Sequence, residues 1–74
     1  MKTEETIKIA IAKYEEELKK TKDRIIDINT WIESAEFMKS PDLFVAQIKE
    51  QRDELRALEK ETDFKIRFAK WVLN

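Results

Sequence analysis

The chain contains no cysteine, no histidine and no glycine, and its single proline is Pro41. Each absence removes a class of protein. Without cysteine there are no disulfides, and without cysteine or histidine the usual sulfur and nitrogen ligands for zinc and its neighbours are missing. Without histidine no serine or threonine can be paired with an imidazole base. Without glycine there is no phosphate-cradling loop of the kind that nucleotide sites use. Charge of one sign is also lacking in net terms: fifteen Lys and Arg stand against sixteen Asp and Glu. So weak a net field does little to draw in nucleic acid or an anionic membrane. No apolar run follows the amino-terminal Met1-Lys2-Thr3-Glu4-Glu5, and none elsewhere reaches the ~20 residues of a membrane span. The expectation is a cytoplasmic protein with no signal peptide, no membrane contact and no cofactor.

What remains is a helical composition rich in Glu, Lys and Ile. With glycine absent, the one strong interruption is Lys39-Ser40-Pro41-Asp42, just past the middle. Proline suits the first position of a helix, so Ser40 is expected to be the N-cap and Asp42 to complement the positive helix end. With no glycine for a left-handed cap, the preceding helix is expected to fray around Phe37 to Lys39. Seventy-four residues then form one all-α domain. The expected fold is an antiparallel two-helix hairpin, coiled-coil-like: first helix about 3–38, turn about 39–40, second helix about 41–73.

Periodicity supports both helices. Starting from a cap at Thr3 or Thr6, the residues Ile7, Ile11, Tyr14, Leu18, Thr21, Ile25, Ile28, Ile32 and Ala35 alternate steps of four and three. That is a heptad stripe, and at ~1.5 Å per residue it makes a helix about 50 Å long. The second helix reads Phe44, Ile48, Gln51, Leu55, Leu58 and Thr62, then needs a four-residue step to reach Ile66, Ala69 and Leu73. Such a step relaxes the supercoil locally. Pairing the stripes gives layers of Leu18 with Leu58, Ile28 with Ile48, and Ile32 with Phe44. Thr21, Gln51 and Thr62 read as register-setting or tolerated polar residues in the seam.

Once the seam is filled, apolar residues are left over. Ile9, Ala10 and Ala12 on the first helix meet Phe64, Phe68, Trp71 and Val72 of the second at the open end of the hairpin. Trp31, Phe37, Met38, Leu43 and Val45 gather at the turn. Two helices bury only one narrow stripe each, so these residues would be exposed in a monomer. They predict a homo-oligomer, a dimer forming a four-helix bundle, with Ile9, Trp31, Phe37, Met38, Phe64, Phe68, Trp71 and Val72 at the self-association or partner-binding surface. An unidentified protein is the expected foreign partner.

Candidate chemistry is sparse. Glu15, Glu16, Glu17, Glu59, Glu61 and Asp63 fall on faces that the heptad gives to solvent, with lysines one turn away, so they read as solvated carboxylates and not as an acid and base pair. A basic row, Lys49, Arg52, Arg56 and Lys60, could track phosphates, but Glu50, Asp53, Glu54 and Glu59 interleave with it. The function expected is therefore a non-enzymatic protein-interaction module: a small adaptor, assembly factor or inhibitor, of a size that suits a phage or bacterial accessory protein. The rival from another class is a nucleic-acid-associated protein using that basic row.

Overall fold

A computed structural model describes residues 2–74 and contains two α-helices, α1 (Lys2–Phe37) and α2 (Asp42–Leu73). They fold back on each other into an all-α antiparallel hairpin, a rod of 57 × 14 × 14 Å. Its radius of gyration is 16.8 Å, against about 11 Å for a compact domain of this length. No helix among the described residues is long and apolar enough to cross a membrane.

The start of α1 lies before both threonines, so Thr3 and Thr6 sit inside its first turns and do not cap it. Glu4 and Glu5 do occupy the first turn, where they complement the helix dipole.

At the turn the chain departs from expectation in two linked ways. The end of α1 does not fray. The Ser40 N–H donates to the Ala35 carbonyl at 2.9 Å and the Lys39 N–H donates to the Glu36 carbonyl at 3.1 Å. Together these are the two bonds of a Schellman closure, with Lys39 in the left-handed region at φ 54° where a glycine is usual. Ser40 is thereby committed to the end of α1. The N-cap of α2 passes to Pro41, whose ψ of 139° is not helical and whose carbonyl accepts from the Val45 N–H at 3.1 Å. Proline has no side-chain acceptor, so no side-chain bond caps this helix. Asp42 becomes its first residue and keeps its place against the dipole.

The α1 stripe packs as its spacing requires: every position from Ile7 to Ala35 in the heptad is buried or half-buried. The α2 stripe does not. Phe44, Gln51 and Leu58 are exposed, and Val45, Arg52 and Glu59 take the half-buried places instead. The row Val45, Ile48, Arg52, Leu55, Glu59, Thr62, Ile66, Ala69, Leu73 alternates threes and fours without interruption. No second consecutive four-residue step is needed after Thr62. The register also shifts, since Ile32 packs with Ile48 in a cluster with Ala35, Ile28 and Val45, where the sequence suggested Phe44. That is about one helical turn along α2.

Few side chains are deeply buried. Ile11, Ile25, Ile32, Ala35, Ile48 and Ile66 form the apolar core, and Thr62 and Thr21 are buried among them to a similar degree. The Thr21 hydroxyl donates back to the Glu17 carbonyl at 2.9 Å, which satisfies it within its own helix. Among the described residues no buried side-chain nitrogen or oxygen lacks a partner.

Candidate functional site

The rotation of α2 gives the rod two unlike faces. On one, long side chains bridge the helices. Glu36 and Lys49 pair at 3.1 Å near the turn, and Glu15 and Lys70 pair at 3.5 Å toward the open end. Between them lies Arg52, with only 22% of its side chain exposed and paired to Asp53 at 3.3 Å. Its aliphatic stem covers the seam while the guanidinium reaches a carboxylate. A charged hollow of about 390 Å³ sits at the turn on this side, lined by Glu36, Lys39 and Asp42 among others.

The opposite face is an open groove. Near the turn, Trp31, Met38, Phe44 and Ile48 line a hollow of about 210 Å³. Trp31 is shared with the next and largest, about 560 Å³, whose floor and walls include Ile28, Leu55 and Leu58 with Arg24, Asp27 and Glu54 at the rim. Arg24 and Leu58 are shared with a third, of about 190 Å³, between Thr21 and Thr62. At the open end Ile7, Ala10, Tyr14, Phe64, Phe68 and Val72 line a fourth of about 340 Å³. The lining residues recur every three or four positions on both helices, so the hollows follow one face from end to end.

The residues singled out from sequence fall around this groove unevenly. Phe64 stacks on Phe68, with ring centres 6.4 Å apart, and Phe68 meets Trp71 at 6.0 Å. These contacts run along one side of α2 and leave Trp71 73% exposed. Val72 borders the same hollow, and Ile9, also exposed, lies on α1 at that end. Trp31 and Met38 border the turn end. Phe37, at 89% the most exposed large apolar residue, is on none of the four hollows. Val45 differs from the rest of its expected cluster, being packed against the core.

Sequence reasoning misses two residues of the groove. The heptad spacing places Phe44 and Leu58 in the hairpin seam, whereas their exposure makes them part of the open face, Phe44 near the turn and Leu58 in the middle. The signal was present in the adjacent apolar or long side chains at 44 and 45, 51 and 52, and 58 and 59, which give α2 a stripe wider than a single seam.

The basic row is divided by the fold. Lys49 is bound to Glu36 and Arg52 to Asp53, while Arg56 and Lys60 are exposed. Farther along, Arg67 pairs with Asp63 at 3.0 Å and Lys70 with Glu15. Carboxylates thus answer most of these cations at contact distance. No group of three or more metal-ligating side chains occurs among the described residues. No protein-family model, curated protein or solved structure matches this chain.

Proposed function

We propose that this chain is a non-enzymatic protein-interaction module, a small cytoplasmic adaptor, assembly factor or inhibitor, that works by laying its groove face against helices of another polypeptide chain. The observation that carries this is the incompleteness of the core. No side chain among the described residues is fully withdrawn from water, while Trp31, Phe44, Phe68 and Trp71 stand half or more exposed and Leu58 nearly half. The accessible surface is 6306 Å², against about 4,800 Å² for a compact monomer of 8.9 kDa. Stable domains pack at least two layers around a core, and this hairpin supplies one.

The energetics favour a covered face. An aromatic side chain that buries about 150 Å² contributes roughly 4 kcal/mol at about 25 cal/mol per Å². Several of them offset the ~4–15 kcal/mol that association costs in lost freedom. The rival assignment to nucleic acid draws less support, because Lys49 and Arg52 are already engaged by carboxylates.

The test is photo-cross-linking in the native cell, with a photoreactive residue replacing Leu58 in the groove or Lys60 outside it. Protein adducts, to this chain or to another, are expected from position 58 and not from position 60. Adducts from both positions alike, or from neither, would overturn the assignment.

A further inference from the structure

The two rims of the groove carry mostly opposite charges at matching heights, Asp27 beside Glu54 being the exception. On α1, Glu16 pairs with Lys20 at 3.4 Å, and Arg24 follows one turn later. On α2, Glu61 pairs with Lys65 at 3.6 Å, and Glu54 lies two turns before Glu61. Because the helices are antiparallel, Lys65 comes level with Tyr14, its ammonium 5.7 Å from the ring centre. Lys20 lines the groove with Leu58 and Thr62, the neighbours of Glu61, and Arg24 shares the middle hollow with Glu54. Height by height, Glu16 faces the side of Lys65, Lys20 that of Glu61, and Arg24 that of Glu54.

A surface whose two rims are mutually complementary is complementary to itself under one rotation. A two-fold axis running along the rod places α1 of a second copy over α2 of the first, at the same height. Glu16, Lys20 and Arg24 then meet Lys65, Glu61 and Glu54, while Asp27, in the same hollow as Glu54, is the one rim charge set beside a like charge. Reversing the copy end for end instead places α1 over α1; with the axis at the height of residue 22, this sets Arg24 beside Lys20 of the other chain and Asp27 beside Glu17. Like charges so placed oppose docking and select against that orientation.

At the open end the groove is apolar on both sides, with Ile7, Ala10 and Tyr14 on α1 and Phe64, Phe68 and Val72 on α2, so stacking α1 of one copy on α2 of the other brings apolar side chains together there. The surface excess over a compact monomer, about 1,500 Å² per chain or about 3,000 Å² for two, leaves room for an interface in the roughly 2,000–5,000 Å² range of obligate homodimers.

We propose, building on the interaction module above, that the groove is covered by a second copy of this chain, with the two rods side by side in the same direction, turn against turn, in a two-fold four-helix bundle. The rim pairs Arg24 to Glu54 and Lys20 to Glu61 between chains fix its orientation.

The experiment measures the mass of the purified full chain by light scattering over a range of concentrations, with helix content followed by circular dichroism. Wild type should have twice the chain mass. Arg24→Glu alone and Glu54→Arg alone should each weaken the dimer by about tenfold, since each sets like charges together twice across the axis. An equal mixture of the two variants should recover the wild-type mass, because a mixed dimer restores an opposite pair at both places. In the end-for-end arrangement Arg24→Glu would meet Lys20 and tighten the dimer, which would overturn the orientation. A folded wild-type monomer throughout would overturn the second copy as occupant. It would leave the interaction module standing if position 58 still captured another protein.

Discussion

The two broad faces of this hairpin are made by the same two helices, yet one is closed and the other open. The difference rests on three positions of α2. Its packed row and its groove row share Ile48, Leu55 and Thr62, and part company at 45 or 44, 52 or 51, and 59 or 58. In each case the hairpin takes in the neighbour on one side and leaves the other exposed. Twice the one taken in is charged, Arg52 and Glu59. A lone pair of helices tolerates these because long charged side chains bury their stems and keep their heads wet. A bundle of four helices needs a wider apolar band on each helix than a hairpin seam supplies. In the proposed bundle, Phe44 and Leu58 would be the part of that band the hairpin leaves unused.

The largest expected break in the comparison comes from deleting one side chain on each face. Ile48→Ala removes the centre of the one contiguous core cluster and should cost about 2–4 kcal/mol. That approaches the ~3–5 kcal/mol a core of this size supplies, so the chain should lose its cooperative urea transition. Leu58→Ala, on a side chain already 45% exposed, should keep the helices and lower the mass of the assembly at dilute concentration. Equal losses of helix from both changes would show that the faces are not distinct.

A second change sharpens the contrast by making the closed face more like a conventional seam. Replacing Arg52 and Glu59 together by leucine exchanges two half-buried charges for apolar packing. The double variant should gain about 1–2 kcal/mol, read as a higher urea midpoint with an unchanged slope. A lower midpoint would mean that Arg52 and Glu59 hold the hairpin closed through their charge.

How much of this was legible in the sequence follows from where competing choices existed. The hairpin was legible because Pro41 is the sole interruption in a chain without glycine, and because the α1 stripe offers no second row of comparable strength. The α2 stripe offers two rows offset by one residue. Hydrophobicity favours Phe44 and Leu58 over Val45 and Glu59, so pattern reading selected the row that the hairpin leaves open. The interhelical pairs Glu36 to Lys49 and Glu15 to Lys70, which accompany the other rotation, join residues far apart in the chain. No local period reveals them. The surplus aromatics were legible singly, but their arrangement along one groove depended on that rotation.

The turn poses the smallest question, and it belongs to both faces, since it sets how α2 leaves α1. Pattern reading expected fraying there because only glycine takes the left-handed cap without strain. The chain instead places Lys39 at φ 54°, which costs a residue with a Cβ roughly 1–2 kcal/mol. Lys39→Gly removes that cost but adds freedom to the unfolded chain, worth about 0.4–1 kcal/mol in the other direction. The balance should stabilise the hairpin by roughly 0.5–1 kcal/mol, a rise of a few degrees in Tm for a domain this small. The association constant should not move, because the groove does not include Lys39. Lys39→Pro provides the opposite control, since its ring fixes φ near −65° and forbids the closure. If Lys39→Gly lowers Tm instead, then the side chain contributes more than its backbone strain costs. The hollow it shares with Glu36 and Asp42 would be the place to look for that contribution.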